Sequence, residues 1–327
     1  MNLRKIGLSA VLITGLLIPL CAQDKQALDV LPTMSSRSDA ANQIWVGAFQ
    51  LLWNDFMKEL GGPAQPLGEF PPIVYDLNKK GFTKQDLSEE SYYAKQGRNT
   101  PALKREMEKD ILEKFNEESQ VLDKMQWDSS GTLFYVMLKK DFEFMTAFND
   151  VEEDSFGPQG SQIEYFGAVT KEQKESVKPL FYSPGEFAVR LRSKQNDEIY
   201  LYRTNATGTL EELYQRMLAK MSTGREAPLG AADTFKAPKL NIETEREFSE
   251  LQGLRLQNGG MISKALEHIQ FKMDREGVRL VAEAIMGTSR GIVRSRHFDF
   301  DGRYVIFIQE AEKKPYFALL VDDPLAL

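Results

Sequence analysis

Few side chains in this 327-residue chain could carry out catalysis, because it contains only two histidines and one cysteine. This scarcity nearly excludes a multi-histidine metal site, and any serine–histidine or cysteine–histidine device would have to use His268 or His297. His268 opens a predicted strand, a position typical of a hydrogen-bonded structural histidine. His297 lies in a basic loop, where a surface position is expected. An extracytoplasmic hydrolase using one of these imidazoles is the third of three functional hypotheses.

The sequence contains none of the common catalytic or nucleotide-binding motifs. It has no Walker loop, no G-x-G-x-x-G, no H-E-x-x-H and no G-x-S-x-G. The acidic run 150–154 could bind calcium, but it lacks the spaced ligands and the glycine of an EF-hand, so a solvated loop is predicted. We therefore predict that the protein is not an enzyme, that it has no catalytic residue, and that it holds neither a metal nor another cofactor.

The composition is that of an ordinary globular protein, with 42% hydrophobic and 27% charged residues. The 41 Lys and Arg residues are outnumbered by 48 Asp and Glu, which gives a formal net charge of −7. A general nucleic-acid binder needs an excess of basic residues to displace counterions from phosphates, so no nucleic-acid partner is predicted. A chain of this length can bury a full core without disulfides.

Residues 1–22 are predicted to form a secretory signal peptide. Arg4 and Lys5 precede the apolar run 6–20, which at about fifteen residues fits the apolar region of such a signal and is short for a membrane span. Cleavage after Ala22 would release a periplasmic or extracellular protein. That mature protein would have no cysteine left to form a disulfide and no integral membrane span.

Lipid attachment at Cys21 is an alternative fate for the N-terminus. It requires a small residue just before the cysteine, and Leu20 fits this requirement poorly. The sequence therefore favours export by cleavage over a lipoprotein, and an uncleaved anchor is a weaker third option.

The remainder is divided into a linker, residues 23–37, and a single domain, residues 38–327. Ser38 and Asp39 resemble the N-cap of a helix, and Gly61-Gly62-Pro63 would end it. An amphipathic helix is predicted at 38–60, a loop-rich stretch follows at 61–100, and a second amphipathic helix is predicted at 102–124.

The hydrophobic period changes from helical to strand-like after residue 132. Strands are predicted at 133–138, 163–169, 185–192, 198–203, 239–243, 268–273, 304–308 and 316–321, with a capped helix at 209–220. Because helices lie mainly in the first half and antiparallel-looking strands in the second, the predicted class is α+β.

Five segments from Ile111 onward resemble segments of the serpin family and occur in the family's order. They are Ile111–Asp150, Gly185–Leu191 with the sequence GEFAVRL, Lys236–Glu243, Asp274–Gly277, and the terminal residues Phe317, Val321, Asp323 and Pro324. The chain is similar to a divergent, N-terminally shortened serpin. The resemblance implies N-terminal helices packed on a large mixed or antiparallel β-sheet, with smaller C-terminal sheets.

The chain departs from the serpin pattern at several positions. The stretch before Ile111 is short, Leu319 replaces the glycine of the terminal motif, and His268 is one residue too close to Gly277. Inhibitory serpins follow the hinge glycine with Thr or Ser and a run of alanines. Here the residues are Val-Arg-Leu-Val-Ala-Glu-Ala, at 278–284.

The resemblance implies suicide inhibition of a serine protease through a loop near residues 277–296. Glu276 and Gly277 would form its hinge, and four residues would supply the apolar face of an inserting strand: Val278, Leu280, Ala282 and Ala284. The family alignment places the scissile bond near Arg290 and Gly291. Arginine there would attract trypsin-like proteases, whose specificity pocket carries an acid.

The same segment is also compatible with a helix, since Val278, Val281, Ala282 and Ile285 have helical spacing. Arg294 and Arg296 are alternative bait residues. The leading hypothesis is an exported serpin-like inhibitor of a trypsin-like protease. The runner-up is a non-inhibitory binding or structural protein on the same scaffold. The sequence makes no prediction of oligomeric state.

Overall fold

The computed structural model describes residues 27–129, 131–224, 227–258, 260–276 and 295–327. Within them lie five α-helices: α1 Gly47–Glu59, α2 Pro72–Asn78, α3 Pro101–Phe115, α4 Lys171–Ser176 and α5 Leu210–Met221. The strands are β1 Leu28–Val30, β2 Asn42–Val46, β3 Tyr92–Arg98, β4 Thr132–Leu138, β5 Asn149–Phe156, β6 Ser161–Gly167, β7 Val177–Ser183, β8 Glu186–Arg192, β9 Asp197–Arg203, β10 Thr234–Pro238, β11 Leu240–Glu247, β12 Leu266–Met273, β13 His297–Asp299, β14 Tyr304–Glu310 and β15 Pro315–Val321.

The largest sheet has seven strands in the order β1-β2-β15-β14-β9-β8-β7. Only the β1–β2 pair is parallel, so the sheet is mixed. Every residue of β15 is buried, and every residue of β14 except Glu310 is buried. Such continuous apolar runs belong to strands that are covered on both faces, and they place these two strands at the centre of the core.

A second sheet has four strands in the order β13-β10-β6-β5, with β10 and β13 parallel. Buried aromatic side chains join it to the larger sheet. For example, Phe300 directly follows β13, and its ring centroid lies 5.2 Å from that of Phe187 in β8 and 5.4 Å from that of Tyr304 in β14. The remaining strands form two separate antiparallel pairs, β3–β4 and β11–β12.

Gly167 marks a close approach between β6 and β10. A Cβ atom at this position would lie 2.6 Å from the backbone oxygen of Phe235. Because the obstructing atom belongs to the backbone, we expect Gly167→Ala to lower the free energy of unfolding by about 2 kcal/mol. Urea unfolding measures the loss. Gly62→Ala is the control, since nothing lies within 4 Å of its Cβ position, and an equal loss in both variants would contradict the packing argument.

Each strand predicted after residue 132 and the capped helix are present, whereas β5, β7, β10, β13 and the short helix α4 were not predicted. The β14–β15 hairpin forms with Ile306 opposite Leu319. The capping box of α5 is present, because Thr209 Oγ1 accepts from the Glu212 N–H at 3.1 Å and Glu212 Oε2 accepts from the Thr209 N–H at 3.0 Å. The α+β class is confirmed.

The predictions for the first half were less accurate. The first helix begins at Gly47 rather than Ser38, because residues 42–46 pair with β15 as β2. The stretch 61–100 is not only loop, since it contains α2 and β3. The second helix ends at Phe115, where Asn116 has a left-handed φ of 53°.

Two further segments differ from their interpretation as linker and loop. Leu28–Val30, within the expected linker 23–37, pairs with β2, and Leu31 is fully buried, so these residues belong to the domain. The acidic run 150–154 lies in strand β5, paired with β6, rather than in a loop. Most of it is exposed, as its charges require. No helix among the described residues is long and apolar enough to cross a membrane.

Candidate functional site

A cleft of about 1070 Å³ separates the two strand pairs. One wall is β4 and the other is β12, and the residues of both strands line it along their length. Within the part of the chain that the structure describes, β4 pairs only with β3 and β12 only with β11. Each wall therefore presents an edge with unpaired backbone N–H and C=O groups, which can accept a further strand.

Contacts at the two ends of the cleft show that its walls run in the same direction. At one end, Lys264, just before β12, donates to the Lys124 carbonyl, before β4, at 3.2 Å. At the far end, the Phe148 N–H, after β4, donates to the Arg275 carbonyl, after β12, at 3.0 Å. Segments that precede both strands meet at one end and segments that follow both strands meet at the other. The walls are therefore parallel.

Ion pairs reinforce both ends of the cleft. Lys124 pairs with Glu245 at the first end, and Arg275 Nη1 lies 2.7 Å from Asp150 Oδ2 at the far end. The side chains of Arg275 and Asp150 are each more than two-fifths exposed, so their pair contributes at most about 1 kcal/mol. This ion pair therefore adds little to the backbone hydrogen bond between Phe148 and Arg275 that joins the far end.

The walls are anchored to different parts of the protein. Phe134 of β4 packs on Phe56 of α1, with ring centroids 5.4 Å apart. Phe271 of β12 stacks on Phe317 of β15, with ring centroids 4.4 Å apart. Because neither of these contacts crosses the cleft, its width can change while both remain intact.

A buried carboxyl group lies at the β12 wall. Glu267 is 6% exposed and is on the inward face of β12 with Ile269 and Met273. Among the described residues, neither of its carboxyl oxygens has a hydrogen-bond partner. Burial raises the pKa of Glu267 to about 8, although Arg246 and the Phe49 N–H, which approaches the carboxyl group without full hydrogen-bond geometry, favour the charged form.

A charged cluster fixes the end of β4 to the seven-stranded sheet. Lys140 Nζ lies 2.6 Å from Glu310 Oε1 and 3.1 Å from Asp197 Oδ1, and Asp197 also accepts from the Tyr316 hydroxyl at 3.0 Å. Burial opposes ionisation of Glu310, but hydrogen bonds from Lys140, Lys313 and Ser88 lower its pKa to about 2. Burial raises the pKa of Asp197, which is 1% exposed, against the opposing effect of Lys140.

Of the residues predicted to form the hinge, the inserting face and the scissile bond, only Glu276 is described. It is half-buried beyond the end of β12, and its N–H donates to Asp274 Oδ1 at 2.8 Å. The other predicted site residues lie outside the described residues: Gly277, Val278, Leu280, Ala282, Ala284, Arg290 and Gly291. The alternative bait Arg296 binds the buried Asp233 carboxylate at 2.7 Å, so it is already occupied by a structural ion pair.

The two histidines occupy structural positions. His268 Nε2 lies 3.3 Å from Glu243 Oε1, as expected for a hydrogen-bonded structural residue. His297 is on the surface, with Nδ1 3.1 Å from Thr234 Oγ1. In the described ranges, no group of three His, Cys, Asp or Glu residues is placed to hold a metal ion.

Glu267 and Lys140 are not among the residues predicted from the sequence. Glu267 does carry a signal, because it is a charged residue in register with the apolar positions of a strand, two residues before Ile269. The predicted strand begins at His268 and therefore leaves Glu267 out. Lys140 carried no local signal, since its partners lie far away in the sequence at Asp197 and Glu310.

Comparisons with known proteins agree on the architecture. No protein-family model matches the chain, and no curated protein matches it. Among solved structures, maspin superposes with a TM-score of 0.50 at 11% identity, over 68% of this chain and 66% of that one. The fold is serpin-like.

Two other serpins also match over 86% of this chain and 74% of theirs. Serpin48 from the insect Tenebrio molitor has a TM-score of 0.43 at 13% identity, and thyroxine-binding globulin in complex with thyroxine has 0.46 at 12%. The likeness is one of fold, and in this serpin-like fold the cleft lies between two parallel strand edges.

Proposed function

We propose that this chain is an exported serpin-like protein that inhibits a trypsin-like serine protease by inserting a cleaved loop between β4 and β12. The observation that carries the proposal is the cleft, whose two walls are parallel and each have an edge that no described strand pairs with. A strand entering it can form backbone hydrogen bonds on both sides, which is the main source of affinity in strand addition.

The connection of the loop is suitable for this motion. The segment 277–294 follows β12 directly at the far end of the cleft. A chain leaving β12 there has to reverse direction to enter, so it would lie antiparallel to both walls. The alternation of Val278, Leu280, Ala282 and Ala284 supplies one apolar face toward the protein core.

Cleavage would couple the loop to the protease. The protease serine oxygen bonds to the Arg290 carbonyl carbon, the Arg290–Gly291 peptide bond breaks, and the Gly291 amine takes the proton. Insertion of the freed segment, with the protease still attached as an acyl-enzyme, would deform the protease before water completes hydrolysis.

The decisive experiment is to mix the mature protein with trypsin and examine the products by SDS electrophoresis. A complex that resists SDS supports inhibition. Cleavage after Arg290 without any complex would overturn the inhibitory proposal and favour the second candidate, a non-inhibitory binding or structural protein. The bulky and charged residues that replace the alanines of inhibitory hinges, such as Leu280 and Glu283, favour that candidate.

A further inference from the structure

We propose that Glu267 is a proton-operated latch. When its carboxyl group is neutral, the latch holds the β4–β12 cleft at the width seen in the structure, which is called the closed state below, and when the group is ionised it favours widening, or opening, of the cleft. Opening of the cleft concerns this chain alone, whereas any consequence for inhibition rests on the proposed function. The proposal starts from a polar side chain that is buried at the wall of the cleft and lacks a hydrogen-bond partner among the described residues.

Glu267 faces the beginning of α1. This 13-residue helix starts after Val46, which provides no capping side chain, and the Phe49 N–H in its first turn favours the charged form of the Glu267 carboxyl group. A neutral carboxyl group can remain in this position at a much smaller cost than a carboxylate. A carboxylate without full hydrogen bonding is strongly disfavoured in such a site, even beside a helix N-terminus.

The charged groups around Glu267 do not neutralise it. On β11, Arg246 is directly opposite in register, but its guanidinium binds Asp29 at 2.7 Å and Glu250 at 2.8 Å. The first turn of α1 has no titratable residue, and β4 has no charged residue. His268, next in the chain, bonds to Glu243 at 3.3 Å. Burial therefore dominates, and ionisation has to be relieved by moving β12.

The direction of the pH dependence follows from linkage. In the closed state burial raises the pKa of Glu267 to about 8, whereas in an open, solvated state the pKa returns toward the ordinary glutamate value of about 4.5. Closed protein therefore binds one more proton than open protein between these values. The equilibrium constant for opening is expected to rise about tenfold per pH unit from about pH 5 to 7.5, and to level off above 8.

The test is hydrogen–deuterium exchange of the full mature chain between pH 5 and 8.5, with rates corrected for intrinsic amide chemistry. Protection of β12 and the first turn of α1 is expected to fall about tenfold per pH unit in the wild type, while β8 and β9 change little. Glu267→Gln should remove this dependence, because the amide cannot ionise. Glu247→Gln, at an exposed position on β11, should retain it.

A wild-type profile in which β12 protection is independent of pH would overturn the latch, even if Glu267→Gln fails to fold. Retention of the slope in a folded Glu267→Gln variant would also overturn it. The outcome is separable from the proposed function. Exchange is measured without a protease, so the latch can stand when no SDS-resistant complex forms, and it can fail when one does.

Discussion

Replacing Arg290 with alanine is expected to slow inhibition of trypsin by about 100-fold or more. A trypsin-like specificity pocket contains a buried acid, and removing its charged partner leaves that acid uncompensated, at a cost of about 3 kcal/mol or more. By the conversion of 1.4 kcal/mol per tenfold, this corresponds to at least two orders of magnitude in the rate constant of complex formation. Progress curves of trypsin activity at several concentrations of the variant measure it.

Two matched variants locate the bait. Arg290→Lys keeps the positive charge and should retain most of the inhibition, whereas Arg294→Ala should leave it almost unchanged. A large loss of inhibition in Arg294→Ala, with none in Arg290→Ala, would place the scissile bond after Arg294 instead. Arg296 is unsuitable for this comparison, because its pair with the buried Asp233 makes it part of the fold.

Replacing Lys140 with methionine is expected to destabilise the protein by about 3 kcal/mol at neutral pH. Methionine matches the length of the aliphatic part of lysine, but it leaves Asp197 and Glu310 without their shared cation in a site where Asp197 is 1% exposed. Urea unfolding measures the change in free energy.

The loss from Lys140→Met should depend on pH in a defined direction. Burial already raises the pKa of Asp197, and removal of Lys140 raises it further, so the folded variant can take up a proton more readily than the unfolded chain. Its deficit should therefore shrink as the pH falls toward 4. Lys313→Met is the control. Lys313 is one-third exposed and also pairs with Glu310, so its loss should cost about 1 kcal/mol or less. Equal losses in the two variants would contradict the account of the cluster.

Local pattern was sufficient to predict much of the fold. The β14–β15 hairpin and the capping box of α5 are encoded within a few neighbouring residues, and both form as expected. The predicted first helix begins earlier than the observed one because Trp45 and Phe49 are four residues apart, which is a helical spacing. Trp45 instead lies in β2, opposite Ala318 of β15, and a pairing across more than 250 residues leaves no local trace.

The candidate site could be predicted only in part. The position of the loop after β12 came from the resemblance to serpins, and its hinge at Glu276 and Gly277 stays a prediction. The cleft itself depends on the separation of β4 from β12, two strands that are distant in the sequence. The hydrophobic period of a strand predicts that the strand forms, but it does not indicate which neighbouring strand it leaves unpaired. For the same reason Lys140 was found only in the structure, where it joins the end of β4 to β9 and β14.

The central claim, that the cleft accepts the cleaved loop as a strand, is tested most directly by comparing intact and loop-cleaved protein. A metalloprotease, which forms no acyl-enzyme and so cannot be trapped, would be used to cut the chain within residues 277–294, and thermal unfolding and hydrogen–deuterium exchange would then be measured on both forms. If the loop inserts, the melting temperature should rise by about 10 °C or more, and amides of β4 and β12 should become protected as their edges gain partners. An unchanged melting temperature, with β4 and β12 exchanging as they do in the intact protein, would contradict the account.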